Sequence, residues 1–340
     1  MRTNKLIDQS LQALKDNLVL NLDWSITTDP VQKQNDIIPN GYIKLKLDGE
    51  KFKILYEQKN EVRKHQINQF KKLQTLHEYF VVIAGYIPEN IRIQLKEEGI
   101  NYIDRVGNCF LRIGQHHLSS SGKKNRNRHL EENKLFTATQ LRLIFHLLQL
   151  PDLINTNYRE IAKTASVSLD IVSKTINGLK KKGWLVSIDE QRQRLVDKKD
   201  ILDRWLSGFE ELLKPKLTKG YYRFLDEEFL RNWKQIQFNK KDILWGGEPA
   251  AALLTYYLKP ERFLVYSKLN NKELLKQLKL IPDENGKVEI RELFYKPENF
   301  NYLNTVSALL VYTDLMISGD SRNQETAKIL YDREISNIIE

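Results

Sequence analysis

Cysteine is almost missing from this chain, which carries one, Cys109, in 340 residues. A lone thiol excludes an intramolecular disulfide and a cysteine-based metal cluster, and leaves Cys109 the part of a small core residue. Long apolar runs are missing too. No stretch approaches the roughly 20 residues that a bilayer-spanning helix needs. The opening residues, MRTNKLIDQSLQALKDN, mix charge with apolar positions at helical spacing, unlike the unbroken apolar segment of a secretory signal. These absences predict a cytoplasmic protein with no membrane association. Acidic charge is the scarcer sign: 44 carboxylates against 54 lysines and arginines leave a net +10. That excess favours a polyanionic partner, although basic residues also serve solubility.

What is present suits a globular protein. Hydrophobic residues at 41% and charged residues at 29% provide real cores, and 340 residues exceed the usual size of one core. The clearest break is SSSGKKNRNRHLEEN, where small, polar and basic residues displace apolar ones and predict a basic linker over 119–133. Its KKNRNR core, Lys123 to Arg128, reads most simply as a solvated loop. A softer boundary falls near KPKLTKG, Lys214 to Gly220. The expected architecture is α+β multidomain, with domains over 1–118, 134–200 and 201–340.

The middle domain carries the most specific pattern. TATQLRLIFHLLQLP places Leu141, Ile144, Phe145 and Leu148 on one helical face, begins at a threonine cap and stops before Pro151. NTNYREIAKTA predicts a second helix with Tyr158, Ile161 and Ala162 inward, and SVS supplies a tight turn. A third helix from about Leu169 puts Ile171, Val172, Ile176 and Leu179 on one face and Asp170, Lys174, Asn177, Lys180 and Lys181 on the other. Gly183 then ends the helix, and KKGWLVSIDEQRQRLV predicts a hairpin anchored by Trp184. Short helix, turn, basic helix and hairpin form the winged helix-turn-helix pattern, which predicts binding to double-stranded DNA. Lys180, Lys181, Lys182, Arg192 and Arg194 are placed to neutralise phosphates, and Ser168, Ser173, Lys174 and Asn177 to offer donors to base edges. Winged helices also serve as protein-interaction modules, and lysines at a helix end gain from the dipole without any ligand.

Before the linker, NGYIKLKLDGEKFKILYEQKN alternates Ile43, Leu45 and Leu47 with Tyr42, Lys44 and Lys46 and turns at LDGE, which predicts a β-hairpin. A helix over about 63–77, the strand YFVVIAGYI, a helix after Pro88 and the strands INYID and CFLRI follow. This order resembles the restriction-endonuclease-like α/β fold. The resemblance implies a nuclease signature of Pro-Asp on one strand and Asp/Glu-x-Lys on the next, here Pro39-Asn40 and Glu57-Gln58-Lys59. Two residues apart on a strand, Glu57 and Lys59 share a face, as a carboxylate on Mg²⁺ and an ammonium beside the attacking water must. Asn40 stands where the signature has an aspartate, and an amide oxygen is a weak ligand for a hard cation. Asp36 and Asp48 lie nearby in sequence but out of position. The expectation is therefore an inactive scaffold with no cofactor, and Mg²⁺ enters only if the domain is a working nuclease.

After the winged helix, DILWGGEPAAALLTYYLKPERFLVYS reads as strand, Gly246-Gly247, helix and strand, reminiscent of a nucleotidyltransferase opening in degenerate form. That chemistry needs paired aspartates where Phe263, Leu264, Val265 and Tyr266 stand, so no metal site is expected. VSALLVYTDLMISGDSRNQETAKILYDREI predicts a strand before Asp314 and a helix from about Asn323, with Asp320 and Arg322 as cap and ion pair.

The strings GYIPENIRIQLKEEGINYIDRVGNCFL, WGGEPAAALLTYYLKPERFLVY and LLVYTDLMISGDSRNQETAKILYD, with a winged helix between the first and second, resemble the AbiEi-type transcriptional regulators, antitoxins of type IV toxin-antitoxin systems. The resemblance implies a DNA-binding autorepressor of a toxin-antitoxin or phage-defence operon, countering a nucleotidyltransferase toxin without a stable complex. The chain departs from better-studied antitoxins of that type in carrying its winged helix centrally rather than first. A nuclease guided to DNA by its winged helix and a non-enzymatic partner-binding protein are the other readings. Oligomeric state is not legible.

Overall fold

The structure is a computed structural model that describes residues 2–27, 39–123, 135–189, 192–225, 231–236, 238, 242–297 and 304–339, apart from the side chains of 2–4 and 271. It is a mixed α and β protein in two compact units, 1–129 and 130–340. Asp36 and residues 124–128 of the basic run lie outside the described residues.

The N-terminal unit is a seven-stranded sheet whose spatial order follows the chain. Its elements are α1 (Arg2–Leu18), β1 (Leu22–Thr27), β2 (Gly41–Leu47), β3 (Glu50–Lys59), α2 (Ile67–Leu76), β4 (Phe80–Ala84), α3 (Glu89–Glu97), β5 (Tyr102–Asp104), β6 (Cys109–Ile113) and β7 (His116–Ser120). The first three strands are antiparallel, β3, β4 and β5 run parallel, and β6 and β7 return antiparallel. Period-two alternation decides which side chains go where. Ile43, Leu45, Leu47 and Ile54 turn to one face with Ile7, Leu11 and Leu14 of α1. Leu55, Phe80 and Val82 turn to the other with Phe70 and Leu73 of α2 and Leu95 of α3. β4 is buried along its whole length, which is why FVVIA is continuously apolar. Cys109 is a buried core residue, its thiol pushed up to about 12 by burial. Strands β1 and β7 have no counterpart among the sequence expectations; β7 occupies Ser119 and Ser120, where the linker was expected to begin.

The second unit opens with α4 (Ala138–Gln149), α5 (Tyr158–Ala165), α6 (Leu169–Lys181), a hairpin of β8 (Leu185–Ser187) and β9 (Gln193–Leu195), and α7 (Lys198–Gly208). A π turn over Phe209–Leu213 leads to α8 (Lys214–Leu217). Then come β10 (Thr218–Phe224), β11 (Ile243–Gly246), α9 (Gly247–Thr255), β12 (Phe263–Ser267), α10 (Asn271–Leu278), β13 (Leu280–Pro282), β14 (Val288–Glu292), α11 (Ala308–Ile317), α12 (Ser321–Leu330) and α13 (Ser336–Ile339). The five strands order as β11-β12-β14-β10-β13, with only β12 and β14 parallel.

The core does not break at the softer boundary expected near 214–220. That stretch is α8 and β10, and one apolar cluster runs from Leu135 to Ile339. Phe145 of α4 packs on Trp205, Phe294 and Tyr295. The Trp205 indole donates to the Leu141 carbonyl at 2.7 Å, and Gln149 donates to Ser307 Oγ at 2.5 Å. The expected strand before Asp314 is instead α11, buried along Ala308, Leu309, Leu310 and Val311. A helix enclosed on all sides loses the amphipathic period that would announce it, so its apolar run reads as a strand.

Candidate nucleic-acid interface

Three places gather polar side chains, and they differ in how far those groups satisfy one another. The first is α5, α6 and the β8–β9 hairpin. Thr137 caps α4 by accepting from Gln140 N, and the Gln140 side chain reaches back to the cap, a reciprocal capping box. Asn157 caps α5, and Ser166 ends it in the left-handed conformation at φ 52°. Ser168 caps α6, its Oγ accepting from Ile171 N at 3.4 Å. Ser166 and Ser168, with Val167 between them packed on the core, thus turn the chain between two short helices. Ile161 and Ala165 of α5 meet Val172, Ile176 and Leu179 of α6 in the core. Tyr158, expected inward, is 42% exposed. As the first residue of α5 it points back beyond the helix end, because helical side chains tilt toward the N-terminus.

Burying one stripe of α6 turns the other outward. Lys174, Asn177, Lys180, Lys181 and Lys182 are exposed and Ser173 is half-buried. Lys174 holds Asp170 at 2.7 Å one turn back, and Asn177 Nδ2 lies 3.5 Å from Ser173 Oγ. Gly183 takes φ 72° with nothing near its Cβ position, so the chain leaves the helix freely. Trp184 is buried edge-on to Phe136, with Arg204 over its ring. The hairpin is tied back where Gln193 N donates to Asn155 Oδ1 at 2.8 Å. Arg192 pairs with Asp189 at 2.7 Å, and Arg194 is exposed on β9. All nine residues named for DNA therefore lie on α6 with its cap and flank, or on the hairpin. Ser168 spends its oxygen on the cap.

The second place is the open end of the β2–β3 hairpin, opposite its turn. Asn40 N donates to the Tyr56 carbonyl at 3.1 Å, and Asn40 Oδ1 accepts from Gln58 N at 2.6 Å. Glu57 is buried; its Oε1 lies 2.9 Å from Lys59 Nζ, while Oε2 is enclosed without a partner. The structure thus brings Asn40, Glu57 and Lys59 together. As a Mg²⁺ site they do not fit. The amide oxygen is committed to the backbone, one carboxylate oxygen to the lysine, and a single oxygen remains where a hard cation wants one or two carboxylates plus further oxygens. Asp48 sits in the turn at the far end of the hairpin, 3.9 Å from His116. Among the described residues no group of three or more His, Cys, Asp or Glu is placed to hold a metal.

The third place is the C-terminal sheet, where sequence reading missed the principal residues. Arg291 Nη1 donates to Asp314 at 2.6 Å and to the Tyr266 hydroxyl at 3.0 Å. Its Nε and Nη2 clasp Glu289 at 2.7 and 2.8 Å. Tyr266 donates to Asp314 at 3.0 Å, and Gly247 N reaches the other Asp314 oxygen at 3.3 Å. Burial, then Asp314, raises the Tyr266 hydroxyl pKa. Burial alone would raise Glu289, but the Arg291 guanidinium holds it below the ordinary value. Glu248, also buried, accepts from the backbone of Glu261 at 2.6 Å and Arg262 at 3.2 Å, from Arg322 at 3.3 Å and from Asn323 at 3.1 Å. Asp320 caps α12 and Arg322 pairs with Glu261 at 2.8 Å, matching the cap and ion pair expected there. Gly246 is required by packing: a Cβ there would meet the Tyr266 ring at 2.6 Å. The conspicuous residues of WGGEP and GDSRN are stitching between α9, α12 and the chain over 259–262.

No helix among the described residues is long and apolar enough to cross a membrane. No curated protein and no solved structure matches the chain. Residues 194–336 match the AbiEi_2 family model, described as transcriptional regulator, AbiEi antitoxin, type IV TA system. The matched segment begins at β9 and takes in the whole C-terminal sheet with its buried polar cluster. Over residues 194–336 the chain is therefore similar to the AbiEi-type antitoxins and transcriptional regulators of type IV toxin-antitoxin systems.

Proposed function

We propose that the protein is a DNA-binding transcriptional regulator that represses its own operon and acts as the antitoxin of a type IV toxin-antitoxin or phage-defence system. It grips duplex DNA with a winged helix-turn-helix in which α6 enters the major groove and the β8–β9 hairpin lies along the backbone. The observation that carries this reading is α6 itself: one face sealed by Val172, Ile176 and Leu179, the other presenting Ser173, Lys174 and Asn177 and ending in Lys180, Lys181 and Lys182. Phosphate contacts by the lysines, Arg192 and Arg194 position the protein, and Asn177 reads a base edge. The family description supports the antitoxin part, and the resemblance of the sequence adds a nucleotidyltransferase toxin countered without a stable complex. The site of action is the cytoplasm. Footprinting on the DNA upstream of its own gene tests the proposal: a protected stretch that shrinks or vanishes with Asn177→Ala supports it, and no protection at any concentration contradicts it.

The N-terminal unit reads as a restriction-endonuclease-like scaffold without catalysis, and the C-terminal sheet as a degenerate nucleotidyltransferase-like one. The competing reading, a metal-dependent nuclease, draws on the pairing of Glu57 with Lys59 beside Asn40. Incubation with supercoiled DNA and with RNA under Mg²⁺ or Mn²⁺ separates the two. The expected outcome is intact substrate, and cleavage lost in Glu57→Ala/Lys59→Ala would establish the nuclease instead.

A further inference from the structure

The β2–β3 hairpin places like charges directly across from one another. Lys44 stands opposite Lys53, and Lys46 opposite Lys51. All four are exposed, and all four share one sheet face, because the strands alternate and Ile43, Leu45 and Ile54 take the other face. Like charges at directly opposed strand positions destabilise a sheet. A hairpin under selection for stability alone has every reason to alternate their sign. Among the described residues no carboxylate forms an ion pair with Lys44, Lys46 or Lys51. The Lys53 ammonium lies 4.5 Å from the centre of the Tyr42 ring. Asp23 of β1, opposite Lys46, is directed to Lys15 at 3.5 Å.

Neighbouring strands lie about 4.8 Å apart and same-face residues on a strand about 6.8 Å, so the four lysines mark a small rectangle of positive charge. The same face continues along β3 through Leu55 to Glu57 and Lys59, and along β2 back to Asn40, since all are an even number of residues from the lysines. On the way to the end of the hairpin where Asn40, Glu57 and Lys59 meet, Leu55 is buried in the core, so the exposed plate ends at Lys44 and Lys53.

We infer that this plate is a second nucleic-acid site, in the N-terminal unit, which binds the phosphates of duplex DNA independently of α6. Duplex is favoured over single strand because a single-strand groove needs exposed aromatic rings for base stacking, and Tyr42, the aromatic on this face, is half-buried beneath Lys53. It is favoured over an anionic membrane because interfacial binding needs apolar side chains to insert. Among the described residues, the exposed large apolar side chains of this unit are Val19, Leu76 and Ile93, none of them on β2 or β3. With no groups reaching base edges, the plate binds without regard to sequence and serves to hold the protein on DNA near its operator.

The test uses the full chain carrying Lys180→Ala/Lys181→Ala/Lys182→Ala, so that α6 contributes little, and a short random-sequence duplex. Adding Lys44→Ala/Lys46→Ala/Lys51→Ala/Lys53→Ala is expected to reduce the slope of log affinity against log salt by about 3 to 4, at about 0.9 per phosphate contact. The melting temperature should stay level or rise, since repulsion has been relieved. An unchanged slope overturns the inference and leaves the α6 proposal standing. A quadruple variant that loses the slope while the α6 triple variant alone changes nothing does the reverse. Tighter binding to single-stranded DNA than to duplex overturns it. So does retention on phosphatidylserine vesicles that the four substitutions abolish without affecting duplex binding.

Discussion

The cluster around Arg291 and the outer face of α6 are built from the same kinds of side chain and point in opposite directions. At Arg291 every charge is answered internally: Glu289, half-buried, takes two donors, and Asp314 and Tyr266, both buried, take another. On α6 the basic groups face outward along a stripe whose other side is sealed into the core. A saturated polar network has nothing left to offer a ligand and contributes to the fold. An exposed run of cations stays open to water and to an approaching polyanion. The Asn40, Glu57 and Lys59 group falls between, gathered but short of oxygens.

Removing Arg291 breaks the comparison most severely. Arg291→Met leaves Asp314 buried, and Glu289 half-buried, without their cation, and the second unit should lose about 3 to 5 kcal/mol, read as a shift in urea midpoint. A loss below about 1 kcal/mol would place Arg291 among ordinary surface pairs.

Asn177→Ala sharpens the other side. It should leave folding intact and remove roughly 1 to 3 kcal/mol of discrimination between operator and random duplex, because a carboxamide can pair bidentately with adenine. Equal losses on both duplexes would return Asn177 to a solvated surface role.

The smallest expected effect concerns His146 on α4, wholly buried, with Nδ1 donating to the Arg142 carbonyl at 2.7 Å and Nε2 enclosed without a partner. Burial lowers its pKa below the ordinary 6.5. The unfolded chain therefore takes up the proton first. Stability is fully present above about pH 6.5 and declines as pH falls through that value toward the depressed folded pKa. His146→Gln should flatten the decline between pH 7 and 5, measured by chemical unfolding at each pH. An unaltered pH profile would show that His146 titrates without such a penalty.

The parts legible in the sequence are those where a local period meets a local stop. The 41–59 hairpin announces itself by strict alternation and a turn at Asp48-Gly49, and α6 by its apolar stripe, its Ser168 cap and Gly183. Strand β1 carries a legible period too, Leu22, Trp24 and Ile26 alternating with Asp23, Ser25 and Thr27, but over only six residues, and sequence reading passed over it. Helix α11 is enclosed on every side, and its apolar run reads as strand. Asp314 and Arg291 stand 23 positions apart and Glu248 and Asn323 75. Such partners meet only through the tertiary fold, and no spacing rule connects them. The residues that make the AbiEi-type strings distinctive, Gly246, Glu248, Asp320 and Arg322, are packing and capping residues, so the family is written in its stitching while the proposed DNA contacts lie almost wholly before the matched segment.

The central claim is that α6 meets duplex DNA through its terminal lysines, and the salt dependence of binding tests it most directly. Affinity for an upstream duplex is measured across a range of salt for the wild type and for Lys180→Ala/Lys181→Ala/Lys182→Ala. The predicted result is weaker binding at every salt concentration and a slope of log affinity against log salt reduced by about 2.7, for three phosphate contacts at about 0.9 each. Identical affinities and slopes for the two proteins at low salt would contradict the account.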